Sequence, residues 1–194
     1  MKKSKKAFTL AEVLVTLGVI GVVAVLTVPN VMSNYQKKVM ATQLKKAYNE
    51  ISTAGALAVV TEEALTFKDT ETFYSHDFLD KYFKKAKDCG KFSTDDIITN
   101  CFEKEYKNED GEWIDFYGGD YFDDSSHCIV AKTGYIFCLN YEAVNNSFLD
   151  INGSKKPNQI GKDSFIVGIG DDGSLSTNYD ESLENIVNNN WEIE

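Results

Sequence analysis

The sequence contains no arginine: all 20 of its basic side chains are lysine, set against 30 acidic ones for a formal charge of −10. With no guanidinium forks and an acidic total, it lacks the usual means of neutralising phosphate backbones and reading base edges, and no nucleic-acid binding is evident. Proline is scarce, at 2 residues in 194, and 43% of the chain is apolar, which together exclude collagen-like, low-complexity and wholly disordered classes. Histidine is as rare, at 2. No P-loop, G-x-S-x-G, H-E-x-x-H or Rossmann fingerprint occurs, so nothing points to an enzyme or to a cofactor. The run Ser126-His127-Cys128 is not read as a nucleophile cluster, because neighbours on a strand face opposite ways, and His127 is expected as a turn or surface residue.

What is present is segregated along the chain. Residues 1–6 carry four lysines and no acid, and Ala7–Val28 is an apolar run of 22 residues with one charge, Glu12. A helix rising about 1.5 Å per residue would carry that run across roughly 33 Å, enough for a hydrocarbon core of about 30 Å. A transmembrane segment is therefore expected. A cleaved secretory signal is the rival reading; the length of the run, the lack of an A-x-A site just beyond it and the helical pattern after Pro29 count against it. Glu12 is the anomaly, since a carboxylate in an apolar helix costs about 2.5–3.5 kcal/mol at the bilayer centre and less near an end. It marks either a functional pairing or a side chain that snorkels to the interface.

The stretch K-K-A-F-T-L-A-E-V-L-V-T-L, residues 5–17, resembles the class III signal of type IV pilins and pseudopilins. The resemblance implies that a prepilin peptidase/methyltransferase cuts between Ala7 and Phe8 and methylates the new terminus at Phe8. Alanine at position 7 is small enough for that cut, although glycine is commoner there. Glu12 corresponds to the glutamate of the motif, placed to pair with the Phe8 amine of a neighbouring subunit and so to set the stagger of assembled helices. Pro29 falls where many pilins carry a helix-distorting proline. The implied partners are other pilin or pseudopilin subunits and an inner-membrane assembly platform. The implied location is the cytoplasmic membrane, single-pass, with the amino terminus cytoplasmic and the domain periplasmic or extracellular. Charge alone does not orient the chain, because Lys37, Lys38, Lys45 and Lys46 follow the run as four lysines precede it. Removal of residues 1–7 leaves 16 bases against 30 acids, a mature charge of −14. The expected function is a structural subunit of a type IV pilus-like or type II secretion-like filament; a membrane-anchored binding or adhesion protein that never polymerises is the alternative.

Beyond Pro29, apolar residues recur at helical spacing from Val31 and Tyr35 through Leu44, Ala47, Ile51 and Ala54 to Ala58, predicting a helix that continues to about residue 60. The expected organisation is a leader over 1–7, a transmembrane assembly helix over 8–29, its amphipathic continuation over 30–60, and a globular domain over 61–194. In that domain H-D-F-L-D-K-Y-F-K-K predicts a short helix. Strands are expected at Glu112–Tyr117, Cys128–Ala131, Tyr135–Asn140, Ser164–Ile169 and Leu175–Thr177. The fold class is α+β and pilin-like, a long amino-terminal helix packed on a small antiparallel sheet. Cys89, Cys101, Cys128 and Cys138 form no C-x-x-C pair, which disfavours zinc and, outside the cytoplasm, favours two disulfides over free thiols. A hairpin around Lys132-Thr133-Gly134 would set Cys128 opposite Cys138 and leave Cys89 with Cys101.

Three further segments stand out by composition. Asp150, Asn152 and Asp163 could offer oxygen to calcium, which some pseudopilins bind, but the spacing is not that of an EF-hand and Asx turns are the simpler reading. Residues 109–124 hold seven acids, no base and five aromatics. They are expected as strand core with a solvated acidic face, a binding surface being the alternative. After Lys162 the chain has eight acids and no base, and its end is expected as a solvating polar tail.

Overall fold

The computed structural model describes residues 9–91, 101–102, 106–114 and 125–193. The chain divides into two units, Met1–Val39 and Met40–Glu194. One helix, α1 (Leu10–Thr61), runs through the division. Pro29 lies inside it, so the backbone there lacks one donor while the helix continues on both sides. The helix ends in paired hydrogen bonds from Glu63 N–H to Val60 O (3.4 Å) and Ala64 N–H to Val59 O (3.0 Å), with Glu63 at φ +52°. This is a Schellman stop with a glutamate where glycine is usual.

In the first unit the apolar side chains of α1 are exposed all round, Val31 and Tyr35 among them. The helix is long and apolar enough to cross a membrane.

In the second unit α1 buries Leu44, Ala47, Ile51, Ala54, Gly55 and Ala58, a stripe at three- and four-residue spacing. After it come a 3₁₀ turn (Phe67–Asp69), α2 (Glu71–Tyr74) and α3 (Phe78–Tyr82). The strands are β1 (Lys85–Lys91), β2 (Tyr106–Lys107), β3 (Trp113–Ile114), β4 (Ser126–Ala131), β5 (Ile136–Asn140), β6 (Ser147–Asp150), β7 (Ser164–Ile169) and β8 (Leu175–Ser176), and α4 (Glu181–Asn188) follows. Among the described residues a six-stranded antiparallel sheet has the order β1-β4-β5-β6-β7-β8, and β2 pairs with β3 apart from it.

Both faces of that sheet are covered, which is why β5 is buried at every position instead of alternating. Ile129, Phe137, Leu139, Leu149, Phe165 and Val167 join the core that holds the α1 stripe, Phe67, Phe78 and Leu79. Cys128, Ile136, Cys138 and Phe148 form a second core with Cys89, Phe102 and Tyr106. The register Cys128↔Cys138↔Phe148 against Ile129↔Phe137↔Leu149↔Phe165 keeps the two sets on opposite faces.

Two expectations are corrected. The carboxyl-terminal segment is not only a polar tail: Asp180 caps α4 by accepting from Leu183 N–H (3.0 Å), Leu183 and Ile186 enter the core, and Trp191 meets the edge of Tyr48 at 5.2 Å. His127 is neither at a turn nor on the surface. It sits in β4, flanked by β1 and β5, with its side chain wholly buried.

Candidate functional site

Ala7 and Phe8 lie outside the described residues. Immediately after them, Thr9 and Glu12 cap α1. Glu12 Oε2 accepts from Thr9 N–H (2.8 Å) and Thr9 Oγ1 (2.9 Å), while Glu12 N–H donates to Thr9 Oγ1 (3.3 Å). This is the reciprocal capping box that T-x-x-E encodes. It gives Glu12 a local task within its own chain, one that the T-L-A-E signature encodes.

In the domain, all four cysteines are disulfide-bonded, Cys89 to Cys101 and Cys128 to Cys138. Cys128 and Cys138 are directly opposed in the β4–β5 ladder, and they are the pair the hairpin reading set opposite each other. Cys128 is thus no nucleophile, and its neighbour His127 is enclosed by the domain.

Asp150, Asn152 and Asp163 come together, but as a hydrogen-bonded network. Asp150 Oδ2 accepts from the Tyr106 hydroxyl (2.5 Å) and Oδ1 from Asn152 N–H (3.0 Å). Asp163 accepts from Asn152 Nδ2 (3.1 Å), Asn158 N–H (2.9 Å) and Gln159 N–H (2.7 Å). Asn152 therefore turns its amide nitrogen toward Asp163; Asp150 makes an Asx turn with Asn152 N–H, whereas Asp163 accepts from the backbone of Asn158 and Gln159, which precede it in the chain. Burial pushes the Asp150 carboxyl up to about 7, against the opposing effect of its hydrogen bonds.

Of the acidic aromatic segment, residues 115–124 lie outside the described ones. Trp113 departs from the core expectation: it is 62% exposed, with Lys107 Nζ 4.5 Å from its ring centre. A two-residue strand leaves too little sheet to bury it, and Ile114 beside it packs on the cysteine core.

A further group has no local signature in the sequence, because it is assembled from α3, β1 and β4. Lys85 bridges Asp80 and Asp88, lying 2.6 Å from Asp88 Oδ2, and Lys91 Nζ bridges Asp77 (2.8 Å) and Asp80 (2.5 Å). His127 Nε2 lies 3.2 Å from Asp88 Oδ1. Partial burial works to raise Asp80 and Asp88, but hydrogen bonds from the lysines hold both carboxyls below the ordinary range. For Asp80 the opposing donors are Lys85 and Lys91 together. Burial lowers His127, against the pull of Asp88 and Asp80, so the neutral imidazole is favoured. Beside this group opens a cleft of about 500 Å³ lined by Glu71, Thr72, Ser75, Asp77, Asp80 and Lys81.

Residues 2–28 match the family model described as the prokaryotic N-terminal methylation motif, the signature of type IV pilins and pseudopilins. No curated protein and no solved structure matches the chain. The motif supports a pilin- or pseudopilin-type precursor, and it heads a helix apolar enough to span a membrane once. A mixed α+β domain with two disulfides follows.

Proposed function

We propose that this chain is a noncatalytic structural subunit of a type IV pilus-like or type II secretion-like filament. The observation that carries the reading is the methylation motif over residues 2–28 at the head of an apolar helix. The precursor is held in the cytoplasmic membrane with its lysine-rich leader in the cytoplasm and its domain outside, a placement in keeping with two disulfides. A prepilin peptidase/methyltransferase removes residues 1–7 after Ala7 and methylates Phe8. The apolar helix then leaves the bilayer, on an inner-membrane assembly platform, for a filament core shared with other pilin or pseudopilin subunits. Apolar side chains on every side of the helix suit both surroundings, since each offers it an apolar medium. In the filament the Phe8 amine of one subunit pairs with Glu12 of another, and Pro29 shapes the helix where it leaves the apolar run.

Mass spectrometry of the mature amino terminus tests the reading. The expected product begins at N-methylated Phe8. A chain that retains Lys2–Lys6, or one cut after residue 28, overturns it.

A further inference from the structure

We propose that Tyr35, Lys37 and Lys38 of α1 form a docking surface for anionic phospholipids of the leaflet through which the helix leaves the cytoplasmic membrane. The inference rests on the single-pass reading above and adds the lipid class that holds the exit point. All three residues belong to the first unit and to the helix that carries the apolar run.

Apolar surface on α1 does not stop at Val28. Val31, Met32, Tyr35 and Val39 are exposed, and no charged residue occurs from Val13 to Gln36. Val31, Tyr35 and Val39, four residues apart, line one face of the helix, while Asn30, Asn34 and Lys38 line another. Water on every side gives no use for such a stripe, whereas the boundary between acyl chains and headgroups rewards it. Tyrosine followed by lysine is also the order expected there, with the aromatic ring at headgroup level and the ammonium just beyond.

The lengths agree. Counted from Leu10, about 20 residues fill a hydrocarbon core of about 30 Å, so the core ends near Pro29. Tyr35 then stands roughly 9 Å past that boundary, and Lys37 and Lys38 roughly 12–14 Å past it. A lysine stem of about 6 Å brings each ammonium back to the headgroup layer, which is about 5–8 Å deep. Lys45 and Lys46 follow roughly 11 Å further along α1, more than a Debye length of about 8 Å, and take no part.

Charge names the lipid. Glu12 is the only acid before Glu50, so residues 50–194 hold the other 29 of the 30, and the only charges from Val13 to Asn49 are Lys37, Lys38, Lys45 and Lys46. An acidic chain that drops its carboxylates and keeps lysines where it leaves the bilayer matches an anionic surface, which repels the former and attracts the latter. A zwitterionic surface gives no reason for that exclusion. The contacts fix the depth of the precursor, and they break when the helix leaves for a filament.

The test titrates the full, unprocessed chain in detergent with phosphatidylglycerol or phosphatidylcholine and counts bound lipids by native mass spectrometry. It depends on neither cleavage nor filament formation, so its failure is distinct from a failure of the subunit reading. Phosphatidylglycerol is expected to bind more tightly than phosphatidylcholine. Lys37→Gln/Lys38→Gln should weaken phosphatidylglycerol about tenfold or more and leave phosphatidylcholine unchanged, while Tyr35→Ala should weaken both. Lys45→Gln/Lys46→Gln removes the same charge further from the membrane and should bind like wild type. The leader lysines are common to every chain and do not enter the comparison. Equal affinity for the two lipids, or equal loss in the two double variants, overturns the surface. Dimers that persist while Lys37→Gln/Lys38→Gln keeps its phosphatidylglycerol affinity also overturn it, and assign the face to a second copy of the chain.

Discussion

Gly55 of α1 meets Gly173, in the turn between β7 and β8, backbone to backbone: a Cβ on Gly55 would lie 2.0 Å from the Gly173 carbonyl oxygen. Nearby, Leu175 N–H donates to Ser52 Oγ (2.9 Å) and Phe67 N–H to Asp171 O (2.8 Å), fastening the same turn to the end of the helix and the segment after it. Gly173 itself has φ +82°, so neither glycine accepts a side chain easily.

Gly55→Ala is therefore expected to destabilise the domain, even though alanine favours a helix by up to about 1 kcal/mol. The clash is with backbone, which cannot move aside as a flexible side chain would, and a net loss of about 2 kcal/mol is expected. Thermal unfolding should show a midpoint lower by roughly 4–8 °C. Gly18→Ala is the control, since a Cβ there meets nothing within 4 Å. Equal midpoints for the two variants would disprove the close approach.

Glu62 joins the end of α1 to α2 and α3. It accepts from Thr72 N–H (3.1 Å), Thr72 Oγ1 (2.8 Å), Lys81 Nζ (2.9 Å) and the Tyr82 hydroxyl (2.8 Å). Burial opposes its charge, but these donors hold the carboxyl down at about 2. A carboxyl lowered in the folded state adds stability above its unfolded value, here 4.5, and that contribution is lost as pH falls toward about 2. Glu62→Gln should cost about 1–3 kcal/mol at neutral pH and flatten the acid limb between pH 4.5 and 2. Unfolding midpoints across that range supply the check; parallel limbs in wild type and variant would reject the role.

How much of this can be read in the sequence depends on whether the cause of an element is local. The helix carries its own periodicity, the β4–β5 hairpin its Lys132-Thr133-Gly134 turn, and β7 its apolar run between Asx and glycine residues. By contrast β1, K-A-K-D-C-G-K, has no apolar alternation, and pairing with β4 is what makes it a strand. β6 is four residues long and hidden between asparagine- and glycine-rich turns. α4 does show Asp180 as a cap and apolar spacing at Leu183, Ile186 and Val187, but the acids around it favour the reading of a tail. The burial of His127 and its meeting with Asp80 and Asp88 depend on elements far apart in the chain, and no local pattern encodes them.

Asp150 should make the pH dependence run the other way from Glu62. Its carboxyl is raised by burial to about 7 from an ordinary 3.8. A raised value means that the folded state binds the proton more tightly, so the contribution is full below about 3.8 and is lost as pH rises through about 7. Asp150→Asn cannot titrate and should remove that decline, while Tyr106 can still donate to the amide oxygen. Chemical denaturation at intervals from about pH 4 to about pH 8 measures it. A wild-type decline retained in Asp150→Asn would assign the slope to another group.

The capping box and the proposed intersubunit pair make different demands on Glu12, and one substitution separates them. Thr9 N–H and Oγ1 need only an acceptor at position 12, and glutamine supplies one, as the capping box tolerates either residue. Pairing with the Phe8 amine needs the negative charge. Glu12→Gln and Glu12→Ala should therefore both insert in the membrane and be cut, yet both should lower the yield of sheared filaments by about tenfold or more, since each leaves the amine without its counter-charge in an apolar core. If Glu12→Gln assembles like wild type while Glu12→Ala does not, Glu12 serves its own helix and sets no stagger between subunits. If both assemble normally, neither role limits filament formation.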